Sequence, residues 1–153
     1  MRFLAGIMIV AAMLFARVEA GNRKTSADVV KINATATKPD VNGKQTVTIT
    51  LDIQKGWWMY ANPVNHNNEF LDGDQVTVKL AAKEKTQVDV KYPAGKTRRE
   101  RKEIFDIYEG AVKIEANVVR TKGDTSPLEI SIYVRVFDDK SCLAPVTVKI
   151  KVN

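Results

Sequence analysis

The 153-residue chain contains a single cysteine, Cys142, and a single histidine, His66. One cysteine excludes an intramolecular disulfide, so the cross-links that commonly stabilise small secreted domains are missing. One histidine, set among Asn65, Asn67 and Asn68, gives no His/Cys cluster with ligand spacing. No metal site and no cofactor is expected, and His66 reads as a solvated loop residue. Glycine-rich phosphate loops are absent, no pair of carboxylates stands out, and nothing local indicates a Ser-His-Asp or Cys-His arrangement. Ordinary hydrolase chemistry therefore has no support. Apolar stretches with helical spacing, internal repeats and low-complexity segments are missing as well.

Long apolar runs are scarce. Phe3 to Phe15 is almost wholly apolar, but about 13 residues fall short of the about 20 that a membrane-spanning helix needs. Arg2 before this run and Val18-Glu19-Ala20 after it complete the pattern of a secretory signal. Residues 1–20 are expected to be a signal peptide cleaved after Ala20. The expected product is one exported domain over 21–153, periplasmic or secreted, without stable membrane insertion. Loss of Arg2, Arg17 and Glu19 lowers the formal net charge from +6 to +5. The densest basic cluster, Lys96 to Lys102, is interrupted by Glu100 and carries no interleaved aromatics. It reads as part of a solvated, charged loop over residues 93–103, and no nucleic-acid partner is expected.

What the chain does have is alternation. Val47, Ile49, Leu51 and Ile53 alternate with Thr46, Thr48, Thr50 and Asp52, the signature of a strand with one buried and one wet face. Further strand segments are read at Val30 to Ala34, Val76 to Leu80, Val88 to Tyr92, Ile104 to Tyr108, Val112 to Val118, Leu128 to Val136 and Val146 to Val152. Gly43, Gly56, Pro93, Gly110 and Pro127 punctuate them. About eight strands at short intervals predict an all-β, immunoglobulin-like antiparallel β-sandwich.

Chemistry can then come from few places. Cys142 lies between Asp138-Asp139-Lys140 and Pro145, after the strand ending at Val136. A buried inert thiol and an exposed reactive one are both open here, since two carboxylates would disfavour thiolate and Lys140 would favour it. Trp57 and Trp58 are adjacent, so on a strand one faces the core while the other meets a loop or a partner. Trp58 and Tyr60 are the candidate binding aromatics.

Four stretches carry a family resemblance: Gly56-Trp57-Trp58-Met59-Tyr60-Ala61-Asn62-Pro63, Tyr92-Pro93, Tyr108-Glu109-Gly110 and Ser141-Cys142-Leu143-Ala144-Pro145. In this order they resemble the amino-terminal periplasmic domain of the thiol:disulfide interchange protein DsbD. The resemblance implies an immunoglobulin-like fold and a cysteine pair that relays electrons from a membrane electron transporter to thioredoxin-like periplasmic proteins. It also implies a cap bearing an aromatic residue, for which Phe105 is the nearest candidate. Phe137 stands where the family's upstream cysteine is expected, so only one thiol of the pair remains. By period two, Phe137 falls on the face of Tyr133 and Arg135, away from the main core. Three functions are therefore weighed: a binding or adaptor module without its own catalysis, thiol-disulfide interchange by Cys142 with a thiol supplied in trans, and an envelope or carbohydrate-binding sandwich using Trp57-Trp58.

Overall fold

The computed structural model describes residues 23–68, 71 and 73–153. The expected signal peptide lies outside these residues. Among them are ten strands and one 3₁₀ turn, Ser26–Asp28. The strands are β1 (Val30–Ala36), β2 (Lys44–Ile53), β3 (Met59–Tyr60), β4 (Thr77–Ala81), β5 (Gln87–Lys91), β6 (Lys96–Glu100), β7 (Glu103–Tyr108), β8 (Ala111–Val119), β9 (Leu128–Val134) and β10 (Val146–Val152). No helix among the described residues is long and apolar enough to cross a membrane.

A four-stranded sheet of order β1-β2-β8-β5 faces a three-stranded sheet of order β10-β9-β4. Every strand pair is antiparallel, with β2 and β8 joined over the longest register, Lys44↔Val119 to Asp52↔Ala111. The alternation in the sequence is the reason for this layering. Val47, Ile49 and Leu51 of β2 and Ile114, Ala116 and Val118 of β8 are at most 1% exposed, as are Leu128, Ile130, Ile132 and Val134 of β9. Each such Val, Leu or Ile side chain contributes about 1.5–3 kcal/mol relative to exposure. Inward alternation, with no disulfide, thus supplies the core expected from the immunoglobulin-like pattern.

The remaining sheet, β3-β7-β6, holds a second apolar cluster of Trp58, Tyr60, Val64, Phe105 and Ile107, with Leu71 and Phe137 packed against it. Two features depart from the sequence reading. Residues 93–103 are not a charged loop: Lys96–Glu100 is β6, turning through Arg101 and Lys102 to pair with β7. The segment contains no apolar residue, so propensity gave no signal. It is a strand because β7 offers it a ladder, and its charges suit an outer edge. Together with the two-residue β3, it raises the strand count from eight to ten.

Candidate thiol site and its aromatic support

Beyond β9 the chain continues in a narrow hairpin. The Leu143 amide donates to the Val136 carbonyl at 3.0 Å, and the Asp138 amide donates to the Ser141 carbonyl at 2.9 Å. These two bonds flank Phe137 and Cys142, which are directly opposed antiparallel partners. Such a non-hydrogen-bonded pair brings its side chains closest together. The tip of the hairpin is closed by Asp138, whose Oδ1 accepts from the Lys140 amide (2.8 Å), the Ser141 amide (2.6 Å) and the Ser141 hydroxyl (3.0 Å). The hydrogen bond from the Lys140 backbone, with those from Ser141, holds the Asp138 carboxyl below the ordinary aspartate value.

The base of the hairpin is tied to the start of the domain. Ser26, fully buried, donates its hydroxyl to the Ala144 carbonyl at 2.9 Å and accepts the Val136 amide at 3.1 Å. Pro145 is exposed and stands immediately before β10, where a missing N–H ends the hairpin pairing.

Phe137 is also paired on its other side. Its amide and carbonyl bond reciprocally with those of Trp58, at 2.8 and 2.9 Å. The local strand positions are therefore Trp58, Phe137 and Cys142 in a row. The chain reaches Trp58 through a turn at Gly56, whose φ of +89° is open to glycine but strained for other residues. Trp58 stacks on Phe137 with ring centroids 4.9 Å apart and on Phe105 at 5.8 Å. Tyr60 meets all three rings edge-on or steeply inclined, at 5.0 to 5.3 Å. Phe137 is thus outside the main core, as its strand parity predicts, and caps a quartet of rings. Phe105 lies in β7, is 1% exposed, and packs against the Trp58 and Tyr60 rings. Burial, reinforced by Asp74, Glu103 and Glu100, raises the Tyr60 phenol above its ordinary value. Trp57 packs at the edge of the main core instead, with the Lys24 ammonium 5.3 Å from its ring centroid.

Cys142 is exposed, which removes the buried alternative left open by the sequence. Its charged neighbour is not one of the hairpin's own residues. Arg135 Nη2 lies 3.7 Å from the sulfur, while Nη1 donates to both carboxylate oxygens of Asp74 at 2.8 Å. The Asp74 hydrogen bonds hold the guanidinium above its ordinary value, and the Cys142 contact adds to this. The same guanidinium sits 5.5 Å from the Phe137 ring centroid. The Tyr133 hydroxyl also donates to Asp74, at 3.4 Å.

Asp139 turns away from the sulfur to Arg98 of β6, at 2.7 Å. Arg98 lies 4.8 Å from the Trp58 ring centroid and also bonds Glu100. Lost solvation weakens the charge of Arg98, but its bonds to Asp139 and Glu100 outweigh that and raise it above the ordinary arginine value. The structure therefore gathers Cys142, Phe137, Asp138, Asp139, Trp58 and Tyr60 around one hairpin, with Phe105 beneath the rings. Sequence reasoning missed Arg135, Asp74, Arg98 and Ser26. Arginine on an outward face looks solvated, and its carboxylate partner is 61 positions away in the chain.

No group of three or more His, Cys, Asp or Glu side chains among the described residues could hold a metal ion. The hairpin presents one sulfur with a guanidinium beside it. Two such sulfurs at opposed hairpin positions could open and close a disulfide; one sulfur opposite a phenyl ring cannot.

Solved structures with this fold include the N-terminal periplasmic domain of ScsB from Proteus mirabilis, with a TM-score of 0.59 and 12% identity over 81% of this chain. This chain spans only 45% of that one. The Neisseria meningitidis DsbD N-terminal domain in the reduced form has a TM-score of 0.54 at 11% identity, covering 85% of this chain and 89% of that one. A complex between the DsbD N-terminal and PilB N-terminal domains from Neisseria meningitidis has a TM-score of 0.53 at 10% identity, covering 80% of each chain. A search of curated protein sequences found no significant match. The family model described as "Thiol:disulfide interchange protein DsbD, N-terminal" matches residues 27–153, nearly all of the described fold. With the sandwich, the hairpin and its cysteine in place, the chain belongs to the DsbD N-terminal domain family, whose members take part in thiol-disulfide relay.

Proposed function

We propose that this chain is an exported partner-binding module of the thiol-disulfide relay type, in which Cys142 exchanges only with thiols supplied by another protein. The observation that carries this reading is the opposition of Phe137 and Cys142 across the hairpin. The position facing the sulfur holds a ring, so the two-thiol cycle cannot close within the chain. The sulfur itself is exposed.

The chemistry balances with one sulfur here. The Cys142 thiolate attacks a partner's disulfide, forming a Cys142–partner bond and releasing one partner thiolate. That thiolate, or a second thiol of the partner class, then attacks the mixed disulfide and frees Cys142. Net electron transfer needs the second thiol to come from elsewhere, which makes the domain an adaptor that holds and hands on a partner. The thioredoxin-like class is the fitting partner chemistry, since it carries paired thiols. The complex of a DsbD N-terminal domain with PilB supports docking of this kind for a relative. A membrane electron transporter is the donor class implied by the same chemistry, and the periplasm is the compartment, as for the ScsB domain.

The test is trapping. The protein is incubated with a thioredoxin-like protein lacking its resolving cysteine and activated as a mixed disulfide. A covalent adduct through Cys142 is expected, and none for Cys142→Ser. Non-covalent binding that persists in Cys142→Ser, with no adduct in the wild-type protein, would leave an adaptor and remove the exchange.

A further inference from the structure

Among the described residues, the charged group in contact with the Cys142 sulfur is Arg135, and it is anchored. Arg135 extends from the end of β9 with Nη1 fixed between the two oxygens of Asp74, at 2.8 Å to each. This leaves Nη2 to point at Sγ, 3.7 Å away. The other charges of the hairpin are engaged elsewhere. Asp138 accepts from its own loop, Asp139 bonds Arg98, and Lys140 is an exposed residue of the turn. Arg135 and Asp74 are each less than one-third exposed, so the pair is better shielded than an open surface contact.

Resting on the proposed exchange, we infer that Arg135, held by Asp74, stabilises the negative charge on the Cys142 sulfur when it leaves a mixed disulfide. In the displacement, an incoming thiolate attacks the partner sulfur, the bond to Cys142 Sγ breaks, and the electron pair departs on Sγ. The leaving sulfur governs the rate through the stability of its thiolate. A guanidinium already positioned at Sγ favours departure of Cys142 over departure of the partner. Arg135 thereby sets which of the two sulfurs is released, a choice that a second hairpin cysteine would otherwise make. Asp74 acts through Arg135 as a positioning residue.

An uncharged mixed disulfide leaves the small attacking thiolate as the one charge brought to the site. The full chain is converted to its mixed disulfide with 2-hydroxyethyl disulfide, and release of Cys142 by excess 2-mercaptoethanol, whose attack on Sγ only regenerates the same mixed disulfide, is followed by mass spectrometry. Arg135→Gln is expected to slow release about fivefold, the scale of a partly screened charge contact. Arg135→Lys, which keeps the charge, is expected to restore most of the rate. Asp74→Asn carries the test if Arg135→Gln folds poorly, with a slowing of about twofold expected. All variants are expected to react alike in denaturant.

A purely structural Arg135 predicts the opposite sign, because losing a contact frees the sulfur. Release as fast as wild type or faster in Arg135→Gln or Asp74→Asn therefore overturns the inference while leaving the exchange reading intact. A wild-type Cys142 that never forms the mixed disulfide overturns both.

Discussion

Replacing Phe137 by cysteine should create a disulfide with Cys142 under mild oxidation. The two residues are opposed in a non-hydrogen-bonded antiparallel pair. Such pairs place Cα atoms about 4.5 Å apart, inside the about 4.4–6.8 Å range that a disulfide requires. The closed loop is only six residues, 137–142, so the chain-entropy gain is about 2 kcal/mol. Against this, the variant loses the Phe137 ring, which stacks on Trp58 at 4.9 Å. Truncating such a half-buried aromatic costs about 1–3 kcal/mol, counting its area and the ring pairing. Oxidised Phe137→Cys should therefore match wild type in stability, whereas its reduced form should be weaker. Oxidised and reduced forms of the variant should differ by about 8 °C in Tm, from about 2 kcal/mol over the unfolding entropy of a domain this size. Thiol titration of the denatured protein, with differential scanning calorimetry of both forms, provides the assay. Two free thiols after oxidation, or only intermolecular dimers, would refute the opposed-pair geometry and the reading of Phe137 as the missing thiol's place.

Three further outcomes follow from the same contacts. Phe105→Ala should cost about 3–5 kcal/mol in urea unfolding, because a fully buried ring supporting Trp58 and Tyr60 is lost. Gly95→Ala should cost about 1–3 kcal/mol by the same assay. Its added Cβ would lie 2.6 Å from the Ala61 Cβ and 2.7 Å from the Asp106 Cβ, forcing β7 and the segment after β3 apart. For the hairpin tip, pH is the probe. Asp138 is held below the ordinary carboxylate value, chiefly by the Lys140 amide, so its contribution is present at neutral pH and lost as acid protonates the folded carboxyl. Protection of the Ser141 amide against exchange, relative to its unfolded rate and followed by NMR, should persist as pH falls through the ordinary aspartate range and be lost only below it. Asp138→Ala should show fast exchange at neutral pH and no acid step.

Legibility of the fold and the site divides along physical lines. Strands β2, β8 and β9 could be read because each buries one face against a partner, and burial writes period two into the sequence. The strand β6 could not, since Lys-Thr-Arg-Arg-Glu at an outer edge buries nothing that hydropathy records. Its side chains commit through polar contacts instead: Thr97 bonds Asp106, and Arg98 is laid over Trp58 and bonded to Asp139. Phe137 and Cys142 were legible as a resemblance with one half changed, and strand parity placed the ring outside the main core. Their direct opposition was not legible, because the register of a short hairpin depends on its turn, here closed by the Asp138 carboxylate. Ser26 and Asp74 were invisible for a plainer reason. Each acts over a long span, Ser26 on Ala144 and Val136, and Asp74 on Arg135, and no local pattern marks a residue whose partner is far along the chain.

The account stands on an exposed Cys142 that reacts in the folded domain and finds its second thiol elsewhere. The most direct measurement is the labelling rate of native Cys142 by a neutral alkylating reagent, compared with the unfolded chain, on protein purified without reductant. Labelling of all free Cys142 in the native protein, with any unlabelled remainder joined to another thiol, is the predicted result. Labelling that appears only on unfolding would contradict it.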